Sequence, residues 1–199
     1  MGAALLAVVV AVAVTLSRRG TGTSAGRVDP LKEMEGVIDR RGFTYDPVRS
    51  DLAVRASKAL ESGDAKRAEG LYREAVAKWP DDADTHASLA ACLFFQKDYD
   101  AAQAEYGRAL ELDPKSVRSL YGSGCVAYKR ERFEVARGLL EKALAIDEKD
   151  GASHRVLGLV HHATGNPAAA IAHYERAIEL ADAPGDADEV KQWLAELKR

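Results

Sequence analysis

Residues 83–116 read ADTHASLAACLFFQKDYDAAQAEYGRALELDPKS, and this stretch decides the fold of the chain. It contains two apolar patterns of helical period, separated by a short polar break. It closes on Asp113-Pro114, where proline cannot continue a helix. The pattern predicts a hairpin whose first helix runs over Thr85–Gln96 and whose second runs from Tyr99 or Asp100 to Leu112.

The same hairpin recurs along the chain at a spacing of 34 residues. Each unit has a small residue in its first helix and two alanines in its second helix, with a large side chain between the alanines. Small side chains let two helix axes approach closely, so these rows predict where the helices cross. The small rows are Ala56, Ala90, Gly124 and Gly158; Ala68, Ala102, Ala136 and Ala170; and Ala75, Ala109, Ala143 and Ala177; the large row is Tyr72, Tyr106, Leu140 and Tyr174.

This register resembles the tetratricopeptide repeat, and the resemblance covers four consecutive units without an insertion. It implies an all-α fold, an α-solenoid of four stacked helix-turn-helix units that is closed by a C-terminal capping helix. The apolar composition of residues 1–16 adds an expected N-terminal apolar helix in front of it. The units are expected at 49–82, 83–116, 117–150 and 151–184, and the capping helix at 185–199.

The N-terminal segment 1–16 is almost wholly apolar and is followed by Arg18 and Arg19. Sixteen residues make a helix of about 24 Å, short of the roughly 20 residues that a bilayer usually requires. Positive charge after the apolar run places the following chain in the cytoplasm. We expect a retained single-pass membrane anchor; a cleaved signal peptide, with a periplasmic or secreted array, and a misassigned start codon remain open.

Between this segment and the array, residues 17–28 are rich in Gly, Ser and Thr and are interpreted as a flexible tether. Residues 29–48 predict a short helix and spacer that begins at Asp29-Pro30. This helix either packs on the first repeat or serves as a docking peptide for a partner.

Composition and motifs together predict a folded protein that is neither a nucleic-acid-binding protein nor an enzyme. The chain is 47% hydrophobic, its net charge is −3 and its charges are mixed in sign, which does not suit a nucleic-acid surface. No catalytic or phosphate-binding motif is present, so no enzyme and no cofactor is expected.

Cys92 and Cys125 fall on the first helices of adjacent units, too far apart for a disulfide. His86 and His154 are interpreted as partly buried structural residues, and no metal site is expected.

The resemblance implies that the first helices line a concave face. Aromatic and basic residues meet there, and such side chains are the usual anchors of protein interfaces. We therefore expect a protein or peptide partner that is apolar and possibly acidic. The candidate partner-binding residues are Phe94, Arg118, Tyr121, Cys125, Tyr128, Lys129, Arg155 and His162.

One use of this family can be tested by inspection. Members that hold the acidic C-terminus of a chaperone place Lys, Asn and Arg at five positions of this face. The corresponding residues here lack most of the donors that a carboxylate needs, so that use is not expected. They are Ala53, Ser57, Ser88, Arg118 and Gly122.

These features predict a membrane-tethered interaction scaffold or adaptor that binds a partner segment in its groove. An exported periplasmic or secreted assembly factor is one alternative, and a non-catalytic regulatory subunit of an enzyme complex is another. The sequence leaves the oligomeric state open.

Overall fold

The computed structural model describes residues 47–181 and 187–198. Residues Leu52–Arg199 form one compact unit, which holds the helical array except for residues 47–51, where its first helix begins. The expectations for the apolar segment 1–16, the tether 17–28 and the short helix after Asp29 lie outside the described residues. No helix within the described residues combines the length and the apolarity needed to cross a bilayer.

The described residues form nine α-helices, which pair as four successive hairpins followed by a single helix. This confirms the predicted all-α solenoid with its capping helix. The helices are α1 (Pro47–Glu61), α2 (Ala65–Lys78), α3 (Ala83–Phe95), α4 (Tyr99–Leu112), α5 (Val117–Lys129), α6 (Phe133–Ile146), α7 (Gly151–Ala163), α8 (Pro167–Glu179) and α9 (Asp188–Leu197).

Short polar side chains fix where most of these helices begin. The Asp82 carboxylate accepts from the Thr85 backbone N–H at 3.2 Å, so α3 begins at Ala83, two residues before the predicted Thr85. Asp64, Asp98, Ser116, Asp150 and Asn166 cap α2, α4, α5, α7 and α8 in the same way. Each such cap satisfies a backbone donor that has no partner within the helix.

The small residues lie where the helices cross, as the register predicts. Ala68, Ala102, Ala136 and Ala170 are all fully buried. A Cβ at Gly124 would lie 2.8 Å from Leu140 Cγ, and a Cβ at Gly158 would overlap the ring of Tyr174. In the third and fourth hairpins the large residue of the second helix therefore fills the space that a glycine leaves on the first helix.

The capping helix α9 completes the core at the C-terminal end of the array. Its Val190 is buried in one cluster with Ala170, Tyr174 and Ala177 of α8. The Trp193 ring lies 5.7 Å from the Tyr174 ring, centroid to centroid. This packing covers the apolar face that the last hairpin would otherwise expose, as a terminal cap must.

One position of the hairpin changes its chemistry from unit to unit. This position consists of two residues, one near the start of the first helix and one in the second helix, 19 residues later. In the second unit His86 Nδ1 lies 2.7 Å from Glu105 Oε2, and in the fourth His154 Nδ1 lies 3.0 Å from His173 Nδ1. The four pairs are Leu52 and Leu71, His86 and Glu105, Leu120 and Leu139, and His154 and His173.

The turns within the hairpins share a left-handed backbone conformation. Gly63 and Gly165 adopt φ angles of 78° and 74°, which glycine tolerates without a steric penalty. Lys97 and Glu131 adopt φ angles of 65° and 59° at the corresponding points of the two middle units. The hairpin geometry therefore overrides the local preference of these two residues.

We expect Gly158→Ala to lower the free energy of unfolding by about 1–3 kcal/mol, because the added methyl group overpacks the Tyr174 ring. Gly138→Ala is the matched control, since it lies within α6 and a Cβ there meets nothing within 4 Å. This control should raise the free energy of unfolding by about 0.5–1 kcal/mol through helix propensity. Urea unfolding followed by circular dichroism measures both changes, and changes of the same sign would contradict the crossing geometry.

Candidate functional site

The first helices of adjacent units lie side by side and are joined by two arginines. Arg118 Nη2 on α5 donates to Ser88 Oγ on α3 at 3.1 Å. Arg155 Nη2 on α7 donates to Tyr121 Oη on α5 at 3.4 Å. These contacts place Ser88, Arg118, Tyr121 and Arg155 on one continuous side of α3, α5 and α7, which we call the first-helix surface.

Tyr121 and Cys125 form the half-buried centre of this surface. They lie one turn apart on α5, and each contributes to the electrostatic environment of the other. Burial raises the pKa of Tyr121 to about 12, and burial also raises the pKa of the Cys125 thiol. Both groups are therefore neutral at physiological pH, and the charge of the surface comes from the cations around them.

Tyr106 lies directly beneath this centre, although it belongs to the second helix of the preceding unit. A Cβ at Gly122 would overlap its ring, so Gly122 is buried packing space and is not open groove as the family positions implied. Burial raises the pKa of Tyr106 to about 12, and Arg118, Cys125 and Tyr121 contribute to its electrostatic environment. The feature of the sequence that could have indicated this packing is the glycine at position 122. The other units have larger residues there: Val54, Ser88 and Val156.

Phe94 and Tyr128 are half-buried, and each packs against the second helix of its own unit. The Phe94 and Tyr99 ring centroids lie 5.6 Å apart, and those of Tyr128 and Phe133 lie 6.0 Å apart. These two pairs are the same contact one unit apart, because both partners are displaced by 34 residues. Phe94 and Tyr128 therefore support the hairpin and offer only part of each ring to a ligand.

The other candidate residues differ in how accessible they are. Arg118, Lys129 and His162 are exposed, and Arg155 is half-buried. Lys129 Nζ lies 5.8 Å from the centroid of the Tyr128 ring, within the range of a cation–π contact. Phe95 was not among the candidates, yet its side chain is 72% exposed and is the most exposed of the large apolar side chains that the structure describes.

A cavity of about 560 Å³ adjoins this surface at the C-terminal end of the array. It lies between the start of α7, the end of α8 and the start of α9, with Arg155, Lys149, Asp150, Leu180 and Val190 among its lining residues. Arg155 therefore belongs to both the cavity and the first-helix surface. Within 47–181 and 187–198, no group of three potential ligands is arranged to hold a metal ion.

The chain is similar to several proteins that are built from helical repeats. It is 30% identical over 160 residues to the type IV pilus assembly protein PilF of Pseudomonas aeruginosa, covering 79% of this chain and 60% of PilF. It is 25% identical over 128 residues to the mitochondrial import receptor subunit TOM70 of Rattus norvegicus, covering 64% of this chain and 21% of TOM70. The chain thus spans 60% of the length of PilF and about a fifth of the length of TOM70.

A solved structure of Pseudomonas aeruginosa PilF superposes with a TM-score of 0.66 at 26% identity, covering 75% of this chain and 67% of that structure. Two family models described as tetratricopeptide repeat match residues 59–123 and 121–187, which together span most of the helical array. These matches agree with the hairpin register and the small-residue crossings. The chain belongs to the tetratricopeptide repeat family.

Proposed function

We propose that the array is a non-catalytic scaffold that binds a segment of another protein across the first-helix surface. The observation that carries this proposal is the bonding of Arg118 and Arg155, whose described hydrogen bonds go to the hydroxyl oxygens of Ser88 and Tyr121. A hydroxyl is a weaker acceptor for a guanidinium than a carboxylate is. Exchanging these contacts for an acidic group of a partner would therefore give both arginines stronger hydrogen bonds.

The second helices provide the contrast. Arg108, Arg137 and Arg176 lie on α4, α6 and α8, and each forms an ion pair with a glutamate three residues away on the same helix. These arginines already have a local carboxylate, whereas those of the first-helix surface do not bond to one in the described contacts. The difference favours the first helices as the binding side.

The partner segment that fits this surface combines apolar and acidic groups. Tyr121, Tyr128 and Phe95 offer aromatic surface, and Arg118 and Lys129 stand exposed beside them. Aromatic rings and arginine are enriched among the residues that dominate binding energy. The acidic groups would set orientation and association rate, and the apolar groups would supply most of the affinity.

We further propose that residues 1–16 tether this scaffold to a membrane, with the array on the cytoplasmic side. The apolar run and the arginines that follow it, Arg18 and Arg19, support this assignment. A second candidate is an exported assembly factor, which the similarity to a pilus assembly protein over 79% of the chain supports. The two differ in whether the N-terminal segment is retained.

We expect the double substitution Arg118→Glu and Arg155→Glu to weaken partner capture by about tenfold or more, because it reverses two charges that face the partner. The measurement is quantitative affinity purification from the native source, with wild-type and variant chains compared. Lys142→Glu is the matched control, since it makes the same kind of charge change on the exposed side of α6. A partner retained equally by all three chains would place binding elsewhere.

Cys125 gives a second and independent readout of the same surface. Because burial raises the pKa of its thiol, alkylation of the folded chain near pH 8 should be slower than alkylation of the unfolded chain. A Cys92→Ala background isolates the reaction, since the chain has two cysteines. A bound partner should slow the alkylation further, and an unchanged rate under saturating partner would contradict its position over Tyr121.

Fractionation tests the tether. The full chain should sediment with membranes and resist a high-salt wash, whereas a chain beginning at Asp29 should stay in the supernatant. Recovery of the uncleaved full chain in the soluble fraction would overturn the membrane assignment. A mature N-terminus mapped near Gly26 would favour the exported alternative.

A further inference from the structure

Three histidines meet between the helices of the fourth hairpin. His154 and His161 lie seven residues apart on α7, about two helical turns, and so share one face of that helix. His173 on α8 contacts both: its ring centroid lies 5.3 Å from that of each, and its ring is stacked on that of His161 at an interplanar angle of 7°. We call His154, His161 and His173 the histidine clasp.

Only one proton can lie between the Nδ1 atoms of His154 and His173. His154 Nε2 lies 3.2 Å from the Glu148 carbonyl oxygen, which can only accept, so this nitrogen carries a proton. Nδ1 of neutral His154 is then an acceptor, and it receives the proton of His173 Nδ1 at 3.0 Å. A second proton on His154 would set two N–H donors against each other at that distance.

The corresponding pair of the second hairpin has the opposite chemistry. His86 Nε2 lies 2.9 Å from the Pro80 carbonyl oxygen, and His86 Nδ1 lies 2.7 Å from Glu105 Oε2. Both nitrogens face acceptors, so a proton on each of them satisfies both contacts. The Leu pairs of the first and third hairpins carry no ionisable group at this position.

We propose that the histidine clasp is a pH-sensitive latch: protonation of His173 separates α7 from α8 and loosens the capping helix α9, which packs against α8. A proton added to His173 places a cation against the imidazoles of both His154 and His161. Tyr174 connects the latch to the cap, since it follows His173 on α8 and packs against both Gly158 and Trp193.

In the described part of the chain, the two carboxylates of α8, Glu175 and Glu179, are already paired with cations. Helix α8 packs against α7 and α9. From α7 the groups acting on His173 are the imidazoles of His154 and His161. From α9 the described charged contact is that of Lys198 Nζ with Glu175 Oε1 at 2.8 Å, in which the glutamate is already paired. On α8 itself Arg176 pairs with Glu179 at 2.9 Å.

The titration of His173 has the sign that a latch of this kind requires. Burial, together with the neighbouring His154 and His161, lowers the pKa of His173 to about 4 in the folded chain. The ordinary pKa of histidine, about 6.5, applies to the unfolded chain. Between these values the unfolded chain binds more protons, so the contribution to stability is complete above about pH 6.5 and is lost as the pH falls toward 4.

Hydrogen exchange on the full chain tests this proposal, with rates corrected for the intrinsic effect of pH. Between about pH 7.5 and pH 5.5 we expect protection of α7, α8 and α9 to fall by about fivefold or more, while protection of α5 and α6 changes less than about twofold. Equal loss in both hairpins, or no loss in α7–α9, would overturn the latch.

Variants separate the latch from general acid sensitivity. His154→Leu with His173→Leu installs the leucine pair of the first and third hairpins, and protection of α7–α9 should then no longer depend on pH. His86→Leu with Glu105→Leu, the matched change in the second hairpin, should leave the loss in α7–α9 intact. If the first double variant does not fold, His173→Gln keeps an N–H donor for His154 without a basic nitrogen and should reduce the loss. Persistence of the full loss in either His173 variant contradicts the proposal.

Discussion

The close approach of helices at the alanine and glycine rows is the constraint on which the rest of the array depends. The second helices of the last three hairpins each carry a large side chain that lies against a glycine. Gly158 receives Tyr174 in this way, and Gly122 receives Tyr106 from the preceding unit. The first contact closes a hairpin, and the second joins one hairpin to the next, so the same device builds both the unit and the stack.

The fold could be predicted from the sequence because the register repeats the information four times. A single unit such as 83–116 indicates two helices, and its recurrence at the same spacing fixes how they stack. The start of α3 was misplaced by two residues because the capping role of Asp82 was not used. The left-handed conformation of Lys97 and Glu131 could not be predicted from their residue types, since the neighbouring helices impose it.

The candidate surface was predicted less completely than the fold. Repeat position alone indicated Arg118, Tyr121 and Arg155, and the structure brings these three together. Repeat position could not indicate how much of the Phe94 and Tyr128 rings packs within their own hairpins. The sequence of one unit does not show which rings meet across the turn. The histidine clasp was missed for a similar reason, since its members come from two helices and become neighbours only when the hairpin closes.

The pairs at 52 and 71, 86 and 105, 120 and 139, and 154 and 173 show that units with one backbone are not chemically equivalent. Two consist of leucines, one joins an imidazole to a carboxylate, and one joins two imidazoles. A chain assembled from the same four units in another order would keep the crossings within each hairpin but would move the imidazole pair away from the cap. The order of the units along the chain therefore carries information that the shape of the solenoid does not.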